Sequence, residues 1–141
     1  MKIDIILEPD LTPEEICNLG LIAESYGVDS IWTSNYFSHW DPFISLTQLA
    51  NQSSQIKLGV LAVSPFEMHP LKIANSLLTL NEVSQGRAQV AVGAGEGNLT
   101  AMNLETPKKI VLAVREALEI IIKACSDDLK EGYIGEIFNV S

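Results

Sequence analysis

The sequence predicts an α/β fold in which a parallel sheet has helices on its outside. Predicted strands and helices alternate four times along the chain, and this order is typical of parallel strands joined by right-handed crossovers. The predicted strand at 56–65 is apolar on both faces, as in sheets that are covered on both sides. Composition shows no linker or low-complexity run, so we expect a single domain over 1–141.

Two architectures fit this pattern: an open doubly wound sheet and half of an eight-stranded barrel. A complete barrel takes ~250 residues, and the sequence has 141. The residues alone leave this choice open.

The first βα unit combines a strand at 2–10 with a helix that begins after Thr12. Thr12 is the predicted N-cap, and Glu15 completes a capping box three residues later. Helical spacing predicts that one apolar face is turned inward. The residues on this predicted face are Ile16, Leu19, Ala23 and Tyr26.

The second and third units follow the same pattern. A short strand at 28–34 leads into the loop "NYFSHW", and Asp41 with Pro42 begins a second helix. The strand at 56–65 precedes a third helix, which Pro70 opens. The inward residues predicted for the second helix are Phe43, Leu46, Leu49 and Ala50.

The fourth unit joins the strand "RAQVAVGAG" to a helix capped by Thr106 and Pro107. The tail at 130–140 is predicted to form two short extended segments. Cys17 and Cys125 have no metal-ligand spacing, so we expect two buried small apolar side chains. The inner face of the fourth helix is predicted to hold Ile110, Val114, Ala117, Leu118, Ile121 and Cys125.

Charge and hydropathy exclude several classes of partner. Eighteen acidic residues against nine basic ones give a net charge of −9, which argues against binding to nucleic acid. No apolar stretch reaches the ~18 residues of a membrane span, and the start of the chain does not resemble a signal peptide. We therefore expect a cytoplasmic protein without a nucleic-acid or membrane partner. His39 has no second ligand at a metal spacing, so no metal site is expected.

The loops at the carboxyl ends of parallel strands are the expected place for chemistry. Here they include "SNYFSHW", "AVSPFEMH" and "GAGEGNLTAMN". Gly93, Gly95 and Gly97 suggest three alternatives: a dinucleotide fingerprint, a loop that needs positive φ or close approach, or a backbone against which a planar ligand lies. The fingerprint would require glycine where Asn98 stands and a helix directly after it, and no helix is predicted before Thr106.

Other polar and aromatic residues in these loops also allow two interpretations each. Glu96 is a candidate base or substrate ligand, or a solvated loop residue. His69 is a polar residue at a helix start or a pocket group. Tyr36 and Trp40 either stack on a ring or pack within their own loop.

The run at 56–98, "IKLGVLAVSPFEMHPLKIANSLLTLNEVSQGRAQVAVGAGEGN", resembles the luciferase-like monooxygenase superfamily. It looks most like the branch that uses the deazaflavin coenzyme F-420, which includes methylenetetrahydromethanopterin reductase. The resemblance extends to the first two βα units and to the tail "GEIFNV". The matching positions are Leu58, Gly59, Pro65, His69, Pro70, Ala74, Leu80, Ser84, Gly86, Arg87, Gly93, Gly95 and Gly97.

The resemblance implies four βα units of a TIM-type (β/α)8 barrel, a half-barrel, with flavin or deazaflavin at the strand carboxyl ends. Trp40 and Glu96 fall where deazaflavin enzymes carry an active-site Trp and acid, and Asn35–Tyr36 replaces the usual Asp-His-like pair. The family's bulge with a non-prolyl cis peptide falls at Leu61–Ala62. The implied catalytic residues are Glu96, Tyr36 and Trp40. The implied cofactor contacts are Asn35, Leu61, Ala62, Val63, Ser64, Gly95 and Gly97.

The function expected from this resemblance is a flavin- or deazaflavin-dependent oxidoreductase, or half of one. Coenzyme F-420 or FMN would exchange a hydride with a small-molecule substrate. The alternative is a non-catalytic half-barrel that serves as an assembly or binding module with an incomplete cofactor pocket. Because the outer strands of a half-barrel have unpaired edges, we also expect a homo-oligomer, most simply a dimer.

Overall fold

The computed structural model describes residues 1–105 and 107–141. It contains two compact units. Unit 1 comprises Met1–Leu61 and Leu77–Ala91, and unit 2 comprises Ala62–Ser76 and Val92–Ser141. The single domain expected over 1–141 stays a prediction.

Four strands form one sheet in the order β1-β2-β3-β4. They are β1 (Asp4–Leu7), β2 (Ser30–Ser34), β3 (Lys57–Val63) and β4 (Ala88–Val92). β1 pairs with β2, and β2 with β3, in parallel. The register places Ile5 opposite Ile31, and Ile31 opposite Leu58.

Helices follow the strands, so the predicted α/β alternation is confirmed. They are α1 (Pro13–Ser25), α2 (Pro42–Ser45), α3 (Thr47–Gln52), α4 (Pro70–Val83), α5 (Glu96–Ala101) and α6 (Ile110–Cys125). The tail forms the predicted pair of extended segments, β5 (Tyr133–Ile134) and β6 (Asn139–Val140), which pair in antiparallel fashion. None of the helices in the described ranges is long and apolar enough to cross a membrane.

The capping box at the start of α1 is present as predicted. Thr12 Oγ1 accepts a hydrogen bond from Glu15 N at 3.3 Å, and Glu15 Oε2 accepts one from Thr12 N at 2.8 Å. Asp41 caps α2 in a related way, because its Oδ1 accepts from Ile44 N at 2.9 Å. The bonds from Glu15 N and Ile44 N satisfy first-turn N–H groups that a helix leaves without intrahelical partners.

The inner face predicted for α1 is partly wrong. Leu19 is 41% exposed and Tyr26 is 84% exposed, while Cys17 and Gly20 are buried. The reason is the contact of α1 with α3: a β-carbon on Gly20 would overlap the side chain of Leu49. The glycine lets the two helices approach closely, and this approach sets the rotation of α1.

The second predicted helix is divided in two. α2 ends at Ser45 and α3 begins at Thr47, with Leu46 between them. Nevertheless, all four residues predicted to face inward are buried: Phe43, Leu46, Leu49 and Ala50.

The last helix differs from its prediction at its start and on its faces. Thr106 lies outside the described residues, and α6 begins at Ile110 rather than directly after Pro107. Leu118 is 39% exposed and Cys125 is exposed, whereas Glu116 is only 3% exposed. A helix that is apolar over much of its circumference can turn more than one side inward. In α6 the rotation is decided by Glu116, whose carboxylate accepts hydrogen bonds from backbone N–H groups of the tail.

Arg87, one of the motif residues, lies at the amino end of β4. Its Nε donates to Ser84 O at 2.7 Å, and its terminal nitrogens donate to Ser53, to Ile56 O and to Ala50 O. This arginine therefore ties the end of α3 to the starts of β3 and β4, at the opposite end of the strands from the loops expected to hold the site.

Candidate functional site

Ser64 joins the carboxyl end of β3 to that of β4. Its Oγ donates to Ala94 O at 2.7 Å and accepts from Phe66 N at 3.2 Å. One position earlier, Gly93 N donates to Val63 O at 3.0 Å. Ser64 is fully buried, so its hydroxyl group holds the two strand ends together.

Gly95 must be glycine for two reasons. Its φ is +71°, in the left-handed region, and a β-carbon there would lie 2.5 Å from Ser64 Cβ and 2.9 Å from Glu67 Oε1. Both structural alternatives raised for this glycine, positive φ and close approach, are confirmed. The approaching group belongs to the chain itself.

The prediction that no helix starts before Thr106 is wrong, because α5 begins at Glu96. Gly95 is its N-cap and supplies no side-chain hydrogen bond, so the sequence has no capping residue that would indicate this helix. Asn98 still stands where the dinucleotide fingerprint needs glycine.

Glu96 and Gly97 lie on the open side of this loop. Glu96 is exposed in the first turn of α5, as its solvated interpretation requires. A β-carbon on Gly97 would meet nothing within 4 Å. Among the described residues, nothing therefore fills the space beside Gly97, unlike the space beside Gly95.

The residues at these strand ends have short side chains. Ala62, Gly93, Ala94 and Gly95 are all half-buried, and none has a side chain larger than a methyl group. A flat conjugated ring can lie against such a backbone, whereas larger side chains would obstruct it. These residues of unit 2 fit a flavin or deazaflavin ring. The bulge and cis bond expected at Leu61–Ala62 stay a prediction.

The loop after β2, in unit 1, presents exposed aromatic side chains. Asn35 N donates to Leu61 O at 2.6 Å, which fixes the start of the loop. The Tyr36 ring lies 5.4 Å from the His39 ring, measured between centroids, and Tyr36 is 45% exposed. Trp40 is 53% exposed. Large surfaces of Tyr36 and Trp40 thus remain available to a ligand.

An open cavity of about 600 Å³ lies beside Tyr36 and His39. Its other lining residues are Glu8, Pro9 and Asp10, which follow β1. The sequence interpretation did not select Glu8 or Asp10, although the rule that chemistry lies at strand carboxyl ends applies to "EPD" as well as to the later loops.

His69 caps the start of α4, as the first of its two interpretations predicts. Its Nδ1 accepts a hydrogen bond from Leu71 N at 3.2 Å, and its ring is edge-on to that of Phe138 at 5.9 Å. The described part of the chain contains no group of three or more His, Cys, Asp or Glu side chains that could hold a metal ion.

Sequence similarity to known proteins extends over nearly the whole chain. The profile of the family described as "Luciferase-like monooxygenase" matches residues 3–140. 5,10-Methylenetetrahydromethanopterin reductase of Archaeoglobus fulgidus is 33% identical over 138 residues, which cover 98% of this chain and 41% of that protein. The chain thus spans about two-fifths of the length of this relative.

Solved structures show the same relationship. The coenzyme F-420-dependent tetrahydromethanopterin reductase of Methanopyrus kandleri matches with a TM-score of 0.89 at 29% identity, covering 99% of this chain and 44% of that one. The oxygenating constituent of 3,6-diketocamphane monooxygenase from Pseudomonas putida, solved with FMN, has a TM-score of 0.79 at 22% identity, which shows the shared fold. The four βα units correspond to part of a TIM-type barrel. The predicted resemblance is therefore confirmed, and the chain belongs to the luciferase-like monooxygenase family.

Proposed function

We propose that this chain serves a flavin- or deazaflavin-dependent oxidoreductase that binds coenzyme F-420 or FMN and acts on a small-molecule substrate. One observation carries the proposal. Ser64 ties the ends of β3 and β4 together through Ala94 O, and the half-buried backbone beside this bond has short side chains on which a flat ring can lie. The similarity to an F-420-dependent reductase over 99% of the chain supports coenzyme F-420 as the first candidate.

The cofactor, when bound, supplies the hydride chemistry. The residues proposed to hold the cofactor would be Ala62, Val63, Ser64, Gly95 and Gly97 in unit 2, and Asn35 and Leu61 in unit 1. Glu96, exposed at the start of α5, is the carboxylate proposed to exchange a proton with the substrate. Tyr36 and Trp40 contact the substrate from their own loop.

Titration of the purified chain with coenzyme F-420 and with FMN, followed by cofactor fluorescence, tests the proposal. Ser64→Ala is expected to weaken binding, because the loop loses both hydrogen bonds of the hydroxyl. Glu96→Ala is expected to impair hydride transfer more than binding. Glu14→Ala, at an exposed position of α1, is the matched control. Failure of the wild-type chain to bind either cofactor would contradict the proposed function. Unchanged tight binding in Ser64→Ala would remove Ser64 from the site, and unchanged hydride transfer in Glu96→Ala would remove Glu96.

The alternative, a non-catalytic assembly or binding module, is favoured by one observation in unit 1. An apolar groove of about 330 Å³ lies between β1 and α1, lined by Ile5, Leu7, Leu19, Ile22, Ala23, Tyr26, Val28 and Ile31. Chains that associate through this groove without binding either cofactor would support the module.

We also propose that a second copy of the chain covers this groove, giving a homodimer. Within the described residues, β1 is paired with β2 and with no other strand, and Ile3 and Ile6 are 51% and 62% exposed. Burying apolar surface stabilises association by about 25 cal/mol per Å². A cytoplasmic location is proposed with it, because Cys17 and Cys125 are free thiols.

A further inference from the structure

We propose that Glu116 is a positioning residue, which holds the tail hairpin so that Phe138 keeps the loop at 64–69 in place. The effect on cofactor binding rests on the proposed function of that loop. The effect on the loop itself does not. Every contact in the argument lies within unit 2.

Glu116 is a buried carboxylate with three backbone donors. It is 3% exposed. Its Oε1 accepts from Glu136 N at 2.8 Å, and its Oε2 accepts from Ile137 N at 2.9 Å and from Phe138 N at 3.0 Å. Burial raises the pKa of Glu116, but the three N–H donors and the positive charge of Arg115 together outweigh it and lower the pKa below the ordinary value. The side chain is therefore an anion at neutral pH, and it fixes three consecutive residues of the tail.

The tail turn is shaped to accept this carboxylate. A β-carbon on Gly135 would overlap Glu116 Oε2 and lie 2.6 Å from its Cδ. Gly135 N donates to Phe138 O at 2.9 Å, which closes the turn. β5 and β6 have two residues each, and a hairpin this short is marginal on its own. Its position therefore depends on side chains of α6, and Glu116 supplies the most bonds.

Phe138 connects the tail hairpin to the loop after β3 through contacts between aromatic rings. Its ring centroid lies 6.5 Å from that of Phe66 and 5.9 Å from that of His69. Phe66 N in turn donates to Ser64 Oγ. A continuous set of contacts thus runs from a helix carboxylate, through an aromatic side chain, to the serine that ties the ends of β3 and β4.

The first test uses His69 as a reporter that needs no cofactor. Because the Phe138 ring stands edge-on to the imidazole, Phe138→Leu is expected to shift the His69 ring proton resonances in the NMR spectrum. Glu116→Gln is expected to shift them in the same direction, because an amide presents one acceptor oxygen where the carboxylate presents two. Glu82→Gln, an exposed position of α4, is the control and should leave them unchanged.

Folding is checked by circular dichroism, and Gly135→Ala is the second variant should Glu116→Gln fail to fold. It keeps the carboxylate and adds a β-carbon against it, so the same shift of the His69 resonances is expected. Wild-type His69 resonances in folded Glu116→Gln overturn the inference. Where that variant does not fold, wild-type resonances in Gly135→Ala overturn it.

The second test is a double-mutant cycle on the affinity for coenzyme F-420. Each single change, Glu116→Gln and Phe138→Leu, is expected to weaken binding by roughly three- to tenfold. If Glu116 acts through Phe138, the double variant binds no more weakly than the weaker of the two single variants. Additive losses would show that Glu116 acts otherwise and would overturn the inference. If the wild-type chain binds no cofactor, the proposed function is contradicted. The positioning role of Glu116 is then tested by the His69 resonances alone.

Discussion

Arg87 holds Ser53 through both of its terminal nitrogens: Nη1 donates to Ser53 Oγ at 2.7 Å, and Nη2 donates to Ser53 O at 3.1 Å. The same two nitrogens also donate to Ile56 O and Ala50 O. Only the planar guanidinium group can reach these acceptors together, since an ammonium group is a point donor on a flexible stem.

We therefore expect Arg87→Lys to destabilise the fold by about 2–3 kcal/mol, because carbonyl groups are left without donors. Urea unfolding followed by circular dichroism measures the loss. Arg115→Lys is the control, since Arg115 pairs with Glu119 at 3.6 Å on the exposed side of α6 and such pairs contribute about 0.3–0.5 kcal/mol. Equal stability losses in the two variants would contradict the stabilising role of the Arg87 guanidinium group.

Gly95→Ala is expected to weaken cofactor binding and to destabilise the loop. The left-handed conformation alone costs a residue with a side chain about 1–2 kcal/mol, and the overlap with Ser64 Cβ adds to it. Gly97→Ala is the matched control, because its β-carbon enters open space within α5. There, replacing glycine by alanine in a helix is expected to stabilise by about 0.5–1 kcal/mol. Urea unfolding compares the two variants, and equal changes in stability would show that the loop does not constrain Gly95. Cofactor titration is applied to Gly95→Ala alone, because Gly97 is itself among the proposed cofactor contacts.

Glu24 is expected to make stability fall in acid. Its Oε1 accepts from the backbone N–H groups of Ser54, Gln55 and Ile56. Burial raises the pKa of Glu24, but these donors and the positive charge of Arg87 together outweigh it and lower the pKa below the ordinary value. The stabilisation is therefore present above the ordinary glutamate pKa of about 4.3 and is lost as the pH falls through the lowered value.

Unfolding free energies measured from neutral pH downward check this prediction. Glu24→Gln should be less stable than wild type at neutral pH, and the difference should shrink as the pH falls. Glu14→Gln, an exposed glutamate of α1, is the control. A difference that is independent of pH would contradict the role of the charge.

The phenol of Tyr133 is expected to lose its proton at a higher pH than an ordinary tyrosine. Burial and the hydrogen bond that its hydroxyl donates to Glu119 Oε2, at 2.6 Å, raise the pKa of Tyr133 to about 12. The neutral phenol therefore stabilises the hairpin fully below the ordinary tyrosine pKa of about 10, and this contribution is lost as the pH rises through about 12. A titration of phenolate absorbance should lose its last component in Tyr133→Phe. In Glu119→Gln that component should move to lower pH, and an unmoved component would exclude Glu119 as a cause.

Leu19→Glu and Ile22→Glu are expected to give monomers if a second copy covers the groove between β1 and α1. Each change places a charge in a surface that dimerisation would remove from water. Light scattering at micromolar concentration measures the mass. Val111→Glu adds the same charge at an 84% exposed position that does not line the groove. A folded wild-type monomer would rule out the dimer.

The order of elements and several of their ends could be predicted from the sequence, because local physics decides them. The capping box at Thr12 is formed among neighbours in the chain. The residues of β3 are apolar on both faces of the strand, and both faces are shielded from water only in a sheet that is covered on both sides. The motif between 56 and 98 placed the candidate site in the loops after the strands, and the family it indicated is confirmed.

Tertiary structure alone decided which faces of α1 and α6 are buried and why Gly20 and Gly95 must be glycine. α1 and α6 have apolar residues on more than one side, so the neighbouring element selects the rotation: Leu49 does so through Gly20, and the tail does so through Glu116. α5 has no capping side chain, and its start depends on the left-handed turn at Gly95. These features depend on partners twenty or more residues away, such as Phe138 for Glu116 and Ser64 for Gly95. Local sequence patterns contain no information about such distant contacts, which exist only once the chain has folded.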